Sequence, residues 1–261
     1  MKILDWRNHN QRINITNSFI SSKVLRDISC SGAEYFYADD LSWLPNDFDK
    51  ILFRKNFLKL YKGIKCFHAC SPVNIDNYLI NGFTGGNHEK AIAIFNKIFS
   101  DIPDEYRKKA IVEISRSRED EALKTFFLCD SKCLINKDGH YLIYGSEYLI
   151  VLAANLSAQK ISTEYFRQRL KGIGIPTIIE ADIDFSLLDN KQIDYLIDYS
   201  LSDWANYNIF NSQFTPSEMS IIAKQKLPSS VIINHWHPEK IHDPFNWGKW
   251  YSPDKTTCSS C

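Results

Sequence analysis

An α+β fold is what this 261-residue chain predicts. Short apolar runs of strand type alternate with helical stretches, and they do so without the regular strand–helix–strand period that a doubly wound parallel sheet would impose. Composition agrees: 44% hydrophobic and 24% charged residues describe an ordinary globular chain, not a disordered one. At this length a substantial core can be buried, in one large domain or two small ones.

Residues 1–60 read as an N-terminal helical cover rich in Phe19, Leu25, Tyr35, Phe36, Trp43, Phe53 and Phe57, with a turn at Pro45-Asn46-Asp47. Residues 61–261 read as the main domain, with core motifs in 61–157 and an α/β extension over 158–261. Its first element is a short buried strand ending in Cys66-Phe67-His68-Ala69-Cys70. A helix is expected to follow, with Ser71 as N-cap, Pro72 in the first position, Ile75, Tyr78 and Leu79 at helical spacing and Gly82 as the stop. Asn87 can cap a second helix whose Ile92, Phe95 and Phe99 share a face.

Ala110-Ile111-Val112-Glu113-Ile114 reads as a short strand, Lys137-Asp138-Gly139 as a hairpin turn and His140-Tyr141-Leu142-Ile143-Tyr144 as an alternating strand. Ser146 as N-cap with Glu147 in the first turn favours a helix over 147–156. Beyond it, residues 163–171 read as helix, 176–183 as strand, 190–207 as a long helix and 230–234 as a strand ended by His235-Trp236-His237-Pro238.

The formal charge is zero, from 31 basic and 31 acidic residues, so nothing in the balance recruits a nucleic-acid backbone. No apolar run approaches the ~20 residues that a bilayer requires. The first residues, Met1-Lys2-Ile3-Leu4-Asp5-Trp6-Arg7, turn polar at once and are not those of a signal peptide. Seven cysteines, an odd count, suit a reducing compartment. The expected location is the cytoplasm, or a host or target cell entered without a cleavable signal.

The chemistry is expected at two places. A histidine followed by two small residues and a helix is a shape that can hold a nucleotide, and Gly145-Ser146-Glu147-Tyr148-Leu149 can supply a carboxylate to it. Elsewhere, Cys66 and Cys70 are four apart, as are Cys129 and Cys133, and Cys258 and Cys261 form a C-x-x-C; a zinc site can be drawn from these cysteines with His235, His237 and His242, although the spacing is that of no zinc ribbon or finger. Strand alternation puts His235 and His237 on one face, and a metal-dependent hydrolase built on these histidines is a further reading. Asp182 and Asp184 read as strand-end turn residues, and Ser115-Arg116-Ser117-Arg118-Glu119-Asp120-Glu121 as a solvated charged face.

Phe67-His68-Ala69-Cys70, the helix after it, its closing Gly82, and Glu147-Tyr148-Leu149 far downstream resemble the site motifs of ADP-ribosyltransferases of the diphtheria toxin and poly(ADP-ribose) polymerase branch. The resemblance spans residues 61–157. It implies split mixed β-sheets with flanking helices, NAD⁺ as substrate, no metal, and mono-ADP-ribosyl transfer of the toxin or effector type. Glu147 would be the catalytic carboxylate. His68 would orient the nucleotide through a ribose hydroxyl, and the Ala69 backbone would hold the nicotinamide amide. Phe95 or Tyr144 would stack on the nicotinamide ring, with Cys70, Phe83 and Ser146 also against the cofactor. A protein acceptor is expected for a neutral chain. The alternatives are an RNA or DNA acceptor, or an inactive NAD-binding module of the same fold.

Overall fold

A computed structural model of the chain describes residues 2–30, 32–115, 124–210 and 219–261. Its centre is the strand that carries His68. In chain order, β1 (Lys2–Leu4), α1 (His9–Asn17), α2 (Ser22–Ser29) and α3 (Lys50–Leu60) lead into β2 (Tyr61–Cys70). Then come α4 (Asp76–Asn81), α5 (His88–Ile98), α6 (Asp104–Ser115), β3 (Thr125–Leu128), α7 (Ser131–Asn136), α8 (His140–Tyr144) and α9 (Glu147–Ala158). The last part holds β4 (Thr177–Asp184), α10 (Asn190–Phe210), β5 (Ser220–Ala223), β6 (Ile232–Trp236), β7 (Ile241–Asp243) and β8 (Lys249–Tyr251).

The main sheet runs β5-β3-β2-β4-β6, all neighbours antiparallel, and β1 joins it parallel to β2. Along its whole length β2 pairs with β4, Gly63 opposite Asp184 through to Cys70 opposite Thr177. Its other edge is divided. β1 pairs with its first half, and β3 meets its second half at the single rung Phe67–Leu128. β7 and β8 form a separate hairpin.

Strand alternation divides the core into two layers. Ile64, Cys66 and Cys70 of β2, with Ile179, Ala181 and Ile183 of β4, face a core closed by Phe53 and Phe57 of α3 and by Ile193, Leu196, Ile197 and Leu201 of α10. Phe67, Ala69 and Ile178 face the opposite core, closed by Phe95 of α5, Ala110 and Ile114 of α6, and Tyr148, Leu149, Leu152 and Leu156 of α9. The first 60 residues add helices, as expected, and also an edge strand. They pack Ile13, Ile28 and Phe36 on Trp204 and Ala205 of α10.

Several expectations change. Residues 110–114 are helical, inside α6, where Ala110 and Ile114 are buried one turn apart while Val112 is exposed. Residues 140–144 form α8 instead of a strand. Leu142, Ile143 and Tyr144 are all buried, and a run buried on every side carries no period to read. The turn at Lys137-Asp138-Gly139 therefore joins two helices. Residues 71–75 are irregular, so the helix after His68 starts at Asp76, not at Pro72, and is introduced by Asn74 Oδ1 accepting from the Asp76 N–H at 2.8 Å. Of residues 163–171, only Phe166–Leu170 is helical, as a 3-10 turn. The strand expected over 230–234 begins at Ile232 and takes in His235 and Trp236.

The other elements stand where their caps and stripes put them. Asn87 Oδ1 accepts from Lys90 N at the start of α5, and Ser146 Oγ from Leu149 N at the start of α9. Gly82 closes α4 at φ 71°, with the Leu227 carbonyl so near that a Cβ would collide with it. Residues 116–121 of the expected charged face lie outside the described residues.

Candidate functional site

His68 sits near the end of the central strand, just past the only β2–β3 rung. Its ring lies in a cup of aromatic rings, with centroids 5.3 Å from Phe83, 5.6 Å from Phe127 and 5.9 Å from Tyr78. Tyr78 comes from α4, Phe83 from just beyond Gly82, and Phe127 from β3. The His68 Nδ1 lies 2.9 Å from the Phe126 carbonyl oxygen. A carbonyl only accepts, so Nδ1 carries the hydrogen and Nε2 keeps its lone pair. Burial pulls the imidazole below its ordinary pKa, and the bond to Phe126 partly opposes this. His68 is thus a neutral ring held in one tautomer, with Nε2 as a hydrogen-bond acceptor.

Its neighbours on the strand are less open. Ala69 lies opposite Ile178, with its methyl in the α9-side core. Cys70 is buried, its thiol donates to the Thr177 carbonyl at 3.6 Å, and burial pushes its pKa up to about 12. That thiol is neutral and no nucleophile.

Glu147 is not brought to His68. The His68 ring shares its face of β2 with Cys66 and Cys70, against Phe83 and Phe127. Glu147 opens α9, whose Tyr148 and Leu149 belong to the opposite core, and its carboxylate accepts from Tyr141 Oη at 3.4 Å. The two residues therefore belong to opposite layers of the sheet. Ser146 is occupied as the α9 cap. Phe95 is fully buried against Phe99, 4.9 Å between centroids, and is a core ring with no face to offer a ligand. Tyr144 is also buried. Its hydroxyl donates to the Asp243 carboxylate at 2.8 Å, where Lys171 Nζ also binds at 2.8 Å. Burial and that carboxylate raise the Tyr144 pKa. Neither aromatic residue is placed to stack on a nicotinamide. Apart from its strand neighbours Ala69 and Cys70, Phe83 is the expected cofactor contact that stands beside His68.

A second group converges elsewhere on the sheet. His235 and His237, two apart at the end of β6, meet Cys258 and Cys261 from the C-terminal segment, and one donor atom from each lies within 4.8 Å of all the others. His242, drawn into this set from the sequence, stands instead in the β7–β8 hairpin, 5.8 Å from the Trp250 ring. The feature that marks the converging set is a His-x-His at a strand end together with a C-x-x-C, which chain topology brings together.

No helix among the described residues is long and apolar enough to cross a membrane. Comparison of the chain with protein-family models, with curated proteins and with solved structures finds no match.

Proposed function

We propose that the chain binds NAD⁺ and transfers its ADP-ribose to a macromolecular acceptor, a protein in the first instance. The observation that carries this reading is the fixed neutral tautomer of His68 at the exit of the central strand. An Nε2 lone pair is what a ribose hydroxyl needs as acceptor, and the cup of Tyr78, Phe83 and Phe127 rings keeps the imidazole upright. In the reaction, nicotinamide leaves with the pair of the C–N bond and the ribose C1′ becomes oxocarbenium-like. The acceptor nucleophile then bonds to C1′ and gives up its proton. The barrier falls where negative charge faces the ribose.

That charge does not come from Glu147, which stands across the sheet. A non-catalytic NAD⁺-binding module of the same fold is the second reading, favoured by the separation of His68 from Glu147.

Labelled NAD⁺ tests both. The transferase releases nicotinamide and labels an acceptor, H68A weakens NAD⁺ binding about tenfold, as the loss of one hydrogen bond does, and E147Q changes neither. Binding without nicotinamide release selects the module. Absence of NAD⁺ binding overturns both readings.

A further inference from the structure

We infer that His235, His237, Cys258 and Cys261 form a structural zinc site that clasps the C-terminal segment to the end of the main sheet. This inference stands apart from any reading of His68. Its first support is the shape of the donor set. Cys258 Sγ and Cys261 Sγ are 3.3 Å apart, and His235 Nε2 is 3.4 Å from the first and 3.5 Å from the second. Three donors with nearly equal separations make one face of a tetrahedron. With metal–nitrogen bonds of about 2.0 Å and metal–sulfur bonds of about 2.3 Å, the edges of such a tetrahedron fall at about 3.3–3.8 Å.

The second support is independent of those distances. The His237 Nδ1 lies 3.0 Å from the Pro176 carbonyl and 3.1 Å from Thr177 Oγ1. The Thr177 hydroxyl spends its own hydrogen on the Ile175 carbonyl at 2.7 Å, so it too accepts from Nδ1. Nδ1 therefore carries the hydrogen, and the lone pair sits on Nε2. That Nε2 is buried and has no hydrogen-bond partner. An orphaned acceptor in the interior is costly unless something electropositive meets it. A backbone carbonyl that fixes the tautomer of a histidine whose other nitrogen faces a donor cluster is the outer-shell arrangement of a metal ligand.

Alternatives explain less. One thiol hydrogen can be shared between a sulfur and His235, but it leaves the bare Nε2 of His237 without a reason. A Cys258–Cys261 disulfide would consume both sulfurs and leave two imidazoles converging on nothing. Two sulfurs and two imidazoles suit zinc and not magnesium or calcium. Binding releases the two thiol protons and gives a neutral Zn(Cys)₂(His)₂ unit. All four positions are filled by protein, so the site is a closed structural one and offers no open position for a hydrolytic water.

The clasp has a mechanical consequence. Beyond β8 the C-terminal segment has no helix or strand, and Ser260 Oγ donates to Asp76 Oδ1 on α4 at 2.7 Å. Cys258 and Ser259 wall a cavity of about 220 Å³ whose other side is the 72–75 connection between β2 and α4. The metal would thus hold the tail against the segment that leads from His68 to Tyr78.

The test uses the 261-residue chain purified without chelator or added metal. Elemental analysis is expected to give about one zinc per chain. The double variant C258S/C261S is expected to hold at least about tenfold less, with unchanged far-ultraviolet circular dichroism and faster proteolytic cleavage after residue 252. H242A is expected to keep its zinc. Should the double variant misfold, stripped wild-type protein titrated with Co²⁺ gives the answer, through the thiolate-to-cobalt charge-transfer band. Zinc-free wild-type protein that also takes up cobalt without that band overturns the inference, as does zinc retained in full by the folded double variant.

Discussion

The two ends of the chain are fastened to the same α+β core by polar side chains, in opposite ways. At the N-terminal end, Arg12 of α1 and Asp203 of α10 form a fully buried ion pair, Nε to Oδ2 at 3.0 Å, with Arg12 Nη1 also donating to the Trp6 carbonyl. Beside it, Asn206 bonds both the N–H and the carbonyl of Phe36, at 3.0 and 2.8 Å. Every partner in that fastening comes from the chain itself. At the C-terminal end, four metal-ligating side chains converge, and the thiol hydrogens can serve His235 but leave the buried Nε2 of His237 without a partner. The first arrangement balances its charges within the protein, though both Asp203 oxygens lack a hydrogen bond of good geometry. The second leaves the His237 Nε2 without a partner inside a set of metal-ligating side chains, and an ion among them would meet it.

The largest effect is expected from removing one partner of the buried ion pair. D203A leaves the Arg12 guanidinium buried without its carboxylate, and is expected to cost about 3–5 kcal/mol in chemical denaturation. The double replacement R12M/D203L removes both charges and is expected to cost far less. Equal losses would mean that packing, not charge, holds α1 to α10.

A somewhat smaller effect is expected from pH. Burial pushes the Asp203 carboxyl up to about 6 in spite of Arg12. The unfolded chain releases that proton near 3.8, so between about pH 4 and 6 the folded state binds more protons than the unfolded one. This carboxyl therefore contributes stability below pH 4 that is lost as pH rises through 6, about 3 kcal/mol for a shift of about two units. Denaturation midpoints of wild type minus D203N across that range isolate the contribution. A flat difference would refute it.

Zinc should stabilise the folded chain by about 2.7 kcal/mol when free metal is about a hundred times its dissociation constant, provided the unfolded chain does not bind it. The expected signature is a melting temperature that rises with zinc in the wild type and not in C258S/C261S. Smallest is the effect of Y144F. It removes a buried hydroxyl donor from Asp243 while Lys171 remains, and is expected to cost about 1–3 kcal/mol in thermal unfolding with no effect on NAD⁺ binding. A loss of NAD⁺ binding would return Tyr144 to the nucleotide site.

The residues that were legible in the sequence are those whose signals are local. The strand through His68, the Asn87 and Ser146 caps, the stop at Gly82 and the long α10 stripe are set by neighbours within a few positions. α6 and α8 were not legible as helices. One carries a short β-branched run inside a helical stripe, and the other is buried on all sides. β1 escaped because three residues, Lys2 to Leu4, are too few to show alternation, and only pairing with β2 makes them a strand. The face of the sheet on which Glu147 stands is a matter of topology. A histidine and a glutamate at plausible motif positions carry no information about which layer each one joins. The His237 tautomer was likewise invisible, since it depends on Pro176 and Thr177, on a different strand.

The most direct measurement of the central claim, that the C-terminal fastening is made by a metal, is zinc K-edge X-ray absorption on the protein as purified. Two sulfur neighbours at about 2.3 Å and two nitrogen neighbours at about 2.0–2.1 Å are expected. A zinc shell of oxygen and nitrogen alone, or a chain without zinc whose Cys258 and Cys261 are joined in a disulfide, would contradict it.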